Sequence, residues 1–321
     1  MIGRRLFVHA IFLTIAPIIV AWFGLSVAAA TLLVLLLLLW RWLVVLSGWI
    51  VPAKTPELVL STISASHFVE KVRWSMDRLG LDYIEQASGG TLGAFFGGRS
   101  VPQLKIRTGA VQSSIGNSAE ILRYLWGRYA VEQPEAAAFL EPTRERVDYE
   151  SRLDRYGTSL QVWIYYHILN DRDVTLHAWG ANCPATPVWQ RPLLRLLFPL
   201  LRLLIRKSFR ITDANYGRAV ARIDEMLGEA DAWLEDGRKS LLGGDAPNYT
   251  DFAFAAMTGL FFMPPGYGGG KAEGVRLTRE QLPEGMRQDI EVWEAKHERA
   301  LDFVARLYEK ERQPSAPNFA D

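Results

Sequence analysis

SASHFVEKVRW (Ser64–Trp74), SVPQL (Ser100–Leu104) and GNSAEILRYL (Gly116–Leu125) decide how this chain is read. Each is weak alone, since a Ser before a helix is common and a Val-Pro pair commoner. In this order and at this spacing, between Leu58 and Leu125, they predict a βαβ…ββα domain built around one binding site. Ahead of the first segment, Glu57 to Ser61 has a strand pattern. Ser64 or Ser66 then opens a helix whose apolar residues Phe68, Val69, Val72, Trp74 and Met76 partly follow a helical period, and Gly80 closes it. Leu81 to Glu85 reads as a second strand. Gln103 to Ile106 and Ala110 to Ser113 read as two more, around a turn at Thr108 and Gly109. Asn117 or Ser118 caps the next helix, with Glu120 close behind. The run SGGTLGAFFGGRS (Ser88–Ser100) lacks the strand-loop-lysine setting of a phosphate loop and reads as flexible connection.

The 321 residues exceed one ordinary domain and suggest two. A net charge of +1 gives no overall field that would favour nucleic acid or an acidic substrate. The single cysteine, Cys183, excludes an intrachain disulfide framework and a multi-cysteine metal site. It reads as an incidental thiol, and no metal is implied.

Working back from Leu58, residues 6–39 are almost unbroken apolar sequence, with no charge until Arg41. A span needs roughly 20 apolar residues, so the block is too long for one. It divides into helices from about Leu6 to Phe23 and from Val27 to Leu46, joined at Gly24-Leu25-Ser26. Arg4 and Arg5 before the first, and Arg41 and Lys54 at or after the end of the second, would place both ends and everything beyond Lys54 in the cytoplasm. Trp40, Trp42 and Trp49 would sit near the interface. A single tilted helix and a signal peptide cleaved near Ser26–Ala30 are the competing readings. The expected division is a transmembrane anchor at 1–52, a first folded domain at 53–132 and an all-helical domain at 133–321.

Beyond Glu141 helix signals dominate. Arg144 to Leu169 reads as one long helix with Tyr149, Leu153, Tyr156, Leu160, Trp163 and Ile164 near one face. In NCPATPVWQRPLLRLLFPLLRLLIRKSFR (Asn182–Arg210), the arginines at 191, 195, 202 and 206 share a face if Pro199 only kinks the helix. Such a helix either rests on a membrane surface or belongs to the domain with its arginines solvated. Asn248 to Asp251 reads as a capping box. Pro283 to Lys310 reads as a further helix.

KVRW at Lys71–Trp74, the Val101-Pro102 pair and a small polar residue leading into AEILRYL resemble the amino-terminal domain of the cytosolic-type glutathione transferases. The resemblance is close from Leu58 to about Tyr129 and loose elsewhere. It implies an α/β plus all-α chain: a thioredoxin-like domain followed by a helical transferase-type domain, here preceded by the membrane segment. It implies glutathione as co-substrate and conjugation of its thiolate to small apolar electrophiles at a membrane surface. The competing class is a non-catalytic, membrane-tethered binding or scaffold protein with the same fold. Family members are commonly dimers, which implies a homodimer.

By this resemblance Ser66 addresses the glutathione sulfur. Its hydroxyl, at a helix amino terminus, donates to a thiolate while backbone N–H groups add positive potential. Ser66 also reads as a plain helix cap, Ser64 replaces it if the register shifts, and His67 reads as polar surface. A serine cannot form a mixed disulfide, which favours conjugation or isomerisation over exchange. Pro102 resembles the family's cis-proline, whose loop leaves the backbone of Val101 free to pair with the cysteinyl part of glutathione. Ser118 matches the serine that binds the γ-glutamyl carboxylate. Asn117 stands where the family has Glu or Asp for the γ-glutamyl ammonium, and an amide supplies no charge. The corresponding long helix lines the electrophile site, making Tyr156, Trp163, Tyr166 and His167 candidates there.

Overall fold

The computed structural model describes residues 18–19, 21–23, 26–50, 55–90, 92, 101–108, 111–262 and 264–314. By its contacts the chain forms two units, one of Met1–Glu57 with Ile106–Ser113 and the other of Leu58–Lys105 with Ser114–Asp321.

In the first unit, helix α1 spans Val27–Ile50. The expectation of a membrane anchor over residues 1–52, with the rest held at a membrane and facing the cytoplasm, is overturned here. Among the described residues no helix is long and apolar enough to cross a membrane. In α1 the uncharged run from Val27 stops at Trp40, because Arg41 follows, and it falls short of the roughly 20 residues a span needs. The first expected span, Leu6 to Phe23, lies mostly outside the described residues, as does the joint at Gly24 and Leu25.

Strand β1 spans Glu57–Ile63, and its residues Leu58, Val59 and Leu60, in the second unit, are buried. It runs parallel to β2, Ile84–Ser88, with Val59 opposite Ile84 and Ile63 opposite Ser88. Strands β3, Gln103–Thr108, and β4, Val111–Gly116, complete a sheet of order β2-β1-β3-β4. Two parallel strands need a crossover, supplied by α2, His67–Arg78. Gly80 ends that helix at φ +64°. Its N–H donates to the Asp77 carbonyl at 2.9 Å and the Leu81 N–H to the Met76 carbonyl at 3.1 Å, the paired bonds of a glycine C-terminal cap. That exit uses Leu81, so β2 begins three residues later than the sequence pattern suggests. Helix α3, Ser118–Tyr129, follows β4. This is a thioredoxin-type sheet.

An all-helical part follows, comprising α4 (Arg144–Ile168), α5 (Arg172–Ala178), α6 (Gln190–Ser208), α7 (Asp213–Trp233), α8 (Tyr249–Phe262), α9 (Glu284–Lys296) and α10 (Glu298–Lys310). The expected helix from Pro283 to Lys310 is thus two, divided at His297, whose φ of −126° and ψ of 48° leave the helical region. Helix α8 is apolar on all sides, as a fully buried helix should be, and packs on α2, α4 and α10. It is capped reciprocally: Asn248 Oδ1 accepts from the Thr250 N–H at 2.9 Å, and Asp251 Oδ2 accepts from the Asn248 N–H at 2.8 Å and from Ser240 Oγ at 2.7 Å.

Helix α6 buries one face in the helical part and leaves Leu196, Leu200, Leu203 and Leu204 exposed on the other. Leu194, Phe198, Leu201 and Ile205 join the buried cluster around Trp179. Two of its arginines are tied down: Arg195 donates to Asn182 Oδ1 and Arg202 to Asn170 Oδ1, each at 2.6 Å.

Three consecutive charges of α2 lock it to three different elements. Glu70 accepts from Arg312, beyond α10, at 2.8 Å. Lys71 reaches Glu150 and Asp154 on α4 at 3.2 Å each. Arg73 pairs with Glu85 on β2 and donates to the Ser64 carbonyl at 3.1 Å. Breaking a buried pair of this kind costs about 3–5 kcal/mol, so the amino terminus of α2 is held firmly in place.

Candidate functional site

The turn from β1 into α2 opens onto a cavity of about 760 Å³, within the range of ligand pockets. Ser66, Val101, Pro102, Asn117 and Ser118 all line it. Three separate loops of the thioredoxin-type sheet thus meet in one place.

Ser66 is the N-cap residue of α2, at φ −73° and ψ 121°. Its side chain makes no capping hydrogen bond, although its carbonyl accepts from the Val69 and Glu70 N–H groups at 3.0 and 2.9 Å. The hydroxyl is therefore not spent on the helix and stands at the positive end of the helix dipole. Ser64, the alternative, is buried and does not line the cavity.

His67 is buried, not polar surface. Burial foremost, and then the neighbouring Lys71 ammonium, push its imidazole down to about 3. It is neutral at neutral pH and too weak a base to take a proton from a thiol.

The Val101–Pro102 bond is cis. Asn117 sits at φ +71°, a backbone state that a non-glycine residue adopts only when its surroundings impose it. Its Oδ1 accepts from the Ala119 N–H at 3.2 Å and so caps α3. Ser118 is the buried first residue of that helix.

The far wall comes from the helical part. On α4, Asp154, Thr158, Gln161, Ile164, Tyr165 and Ile168 line the cavity, joined by Trp179, Phe209, Phe261 and Met286. The spacing of three and four residues makes the α4 group one stripe. The four candidates for the electrophile wall lie elsewhere: Tyr156, Trp163, Tyr166 and His167 do not line the cavity. They tie α4 to its neighbours. Tyr156 Oη meets Thr258 Oγ1 of α8 at 3.0 Å, and Tyr166 Oη donates to Asp213 of α7 at 2.9 Å. Trp163 Nε1 and His167 Nε2 both meet Asp289 Oδ2 of α9, at 2.7 and 3.2 Å.

No family model matches the chain, and no curated protein matches it. Solved structures similar to it include the glutathione transferase YghU from Streptococcus pneumoniae complexed with glutathione, at 11% identity, 84% of this chain, 86% of the other and a TM-score of 0.49. A theta class glutathione S-transferase from Xanthomonas axonopodis pv. citri with glutathione bound is similar at 18% identity, 80% of this chain, 97% of the other and a TM-score of 0.37. FzlA from C. crescentus is similar at 15% identity, 81% of this chain, 96% of the other and a TM-score of 0.41. At these identities and TM-scores the likenesses assign nothing to the site, which stands on its own residues.

Two wall residues carry no sequence signal. The start of the glycine-rich run is anchored rather than flexible: the Gly89 N–H donates to Gln190 Oε1 at 2.8 Å. A Cβ on Gly90 would come within 2.8 Å of the Trp179 ring, so glycine there lets the indole close the cavity. Residues 93–100 lie outside the described residues. Cys183 is buried and outside the cavity. Among the described residues no group of three or more His, Cys, Asp or Glu is placed to hold a metal ion.

Proposed function

We propose that the chain is a glutathione transferase-like enzyme that joins the glutathione thiolate to apolar electrophiles. The observation that carries this reading is Ser66, a helix N-cap whose hydroxyl is left over from capping and lines the cavity. A thiol has an ordinary pKa of about 8.5, and each unit of depression corresponds to about 1.4 kcal/mol of preference for the thiolate. A hydroxyl donor and a helix amino terminus both act in that direction. Val101 would pair with the cysteinyl backbone, while Ser118 and the first turn of α3 would take the γ-glutamyl carboxylate. The thiol proton leaves to water. The sulfur forms a bond to the electrophilic carbon, whose electron pair goes to the leaving group or onto the acceptor. Tyr165, Phe209, Phe261 and Met286 supply an apolar wall for that second substrate.

A non-catalytic binding protein of the same fold is the second reading, favoured by Asn117, whose amide caps α3 and brings no charge. Conjugation rates of the full chain with glutathione and a model aryl halide separate the two. The enzyme reading expects turnover that Ser66→Ala lowers at least tenfold with glutathione binding retained. An unchanged rate in Ser66→Ala would reject its role, and binding without any turnover would favour the second reading.

A further inference from the structure

We infer that the outer face of α6 docks an amphipathic helix of a partner protein, one whose apolar seam is edged by acidic residues. The inference stands independently of the proposed function. Along α6 and its cap residue, Trp189, Leu196 and Leu203 recur every seven residues, with Pro192, Pro199 and Leu200 between them. All are exposed, Leu196 by 75%, while Leu194, Phe198, Leu201 and Ile205 are buried on the opposite side. Apolar residues repeating by heptads are the pattern of a seam between helices, and a contiguous apolar stripe left in water marks an interaction site.

Charge decides what covers it. From Val174 to Thr212 the chain has no Asp or Glu, while Arg191, Arg195, Arg202, Arg206, Lys207 and Arg210 fall in or beside α6. Arg195 and Arg202 stand one residue before Leu196 and Leu203, so they form one edge of the seam. The groups that hold them are neutral: Arg195 donates to the Ala181 carbonyl at 3.2 Å and to Asn182 Oδ1 at 2.6 Å, and Arg202 donates to Asn170 Oδ1 at 2.6 Å. These contacts orient both guanidinium groups without cancelling their charge, and each uses Nη2, leaving Nη1 for a further acceptor. Arg206, Lys207 and Arg210 make no ion pair among the described residues. A planar guanidinium fork held in one orientation matches a carboxylate at a set position better than the diffuse charge of an anionic surface. A second copy of this face would bring an equally basic edge and be repelled. A helix with Glu or Asp seven residues apart beside an apolar seam meets both the stripe and its edge.

The test uses the full chain with Leu204→Cys carrying a polarity-sensitive dye, since Leu204 is exposed beside the stripe and the native Cys183 is buried. The probe is a helical peptide of three heptads with leucine along the seam and glutamate flanking it; the control peptide has glutamine for every glutamate. The dye should shift to the blue, with saturation, and the glutamate peptide should bind about fivefold tighter than the control, as two exposed ion pairs allow. Arg195→Gln with Arg202→Gln should remove that preference by weakening the glutamate peptide and leaving the control within about twofold, because the control never used the charges. Leu196→Gln with Leu203→Gln should abolish docking of both. A glutamate peptide that leaves the dye unchanged, binds no better than the control, or keeps its preference in the double arginine variant would overturn the assignment. So would a blue shift that grows with protein concentration alone, which gives the face to a second copy. A larger shift on vesicles of phosphatidylserine and phosphatidylcholine than on the peptide would overturn it in favour of a lipid surface.

Discussion

Gly157 on α4 lies directly against His67 on α2: a Cβ at position 157 would stand 2.9 Å from His67 Nε2 and 2.9 Å from Phe68 Cζ. Both aromatic residues line the cavity floor beside Ser66. Gly157→Ala should therefore push the start of α2 away from α4, costing about 1–3 kcal/mol of stability as overpacking does, and should weaken glutathione binding. Denaturant unfolding and ligand titration of the variant check both; wild-type values for each would show that the contact relaxes freely.

Ser66 offers a test of whether its hydroxyl serves the helix. Loss of a capping side chain ordinarily costs about 0.5–2 kcal/mol. Because Ser66 makes no such bond, Ser66→Ala should shift the unfolding free energy by less than about 0.5 kcal/mol while lowering turnover. A loss of a full cap's worth would return Ser66 to a structural role.

His67 sets a dependence on pH. Its folded value of about 3 lies below that of an unfolded histidine, about 6.5. Between these values the unfolded chain binds the proton and the folded chain does not. Stability contributed by neutral His67 is therefore complete above about pH 6.5 and is lost as pH falls towards 3, by up to about 1.4 kcal/mol per unit. His67→Gln should flatten that slope in denaturant melts taken across mildly acid pH. Identical slopes in the two proteins would show that the imidazole is not held neutral.

On α4 two adjacent stripes do different work. Tyr156→Phe removes one buried hydrogen bond and should cost about 1 kcal/mol or somewhat more; Trp163→Phe loses a hydrogen bond and buried ring volume together and should cost more, each with little change in ligand affinity. Gln161→Ala, on the cavity stripe, should do the reverse. Paired melting and titration measurements decide it, and a large affinity loss in Trp163→Phe would move the cavity wall to the other face.

These stripes also mark how far the sequence could be read. Gly80, the Asn248–Asp251 cap and the strand pattern of β1 are local signals, because the residues that need each other lie within a few positions. The convergence of Ser66, Pro102 and Ser118 on one cavity was legible through the family resemblance of the segments that hold them. The cavity face of α4 was not, because period alone gives two apolar-compatible faces and tertiary packing chooses between them. The aromatic stripe found its partners on α7, α8 and α9, which left the more polar Asp154, Thr158 and Gln161 for the cavity. Trp179 and Gly90 meet across most of a hundred residues and leave no local trace. The apolar amino-terminal block misled in another way, since its second expected span runs across Arg41.

The most direct test of the central claim is calorimetric titration of the full-length chain with glutathione. The geometry of Ser66, Val101, Asn117 and Ser118 predicts saturable, one-site binding within the millimolar range. No detectable heat, and no competition by glutathione for the cavity at millimolar concentration, would contradict it.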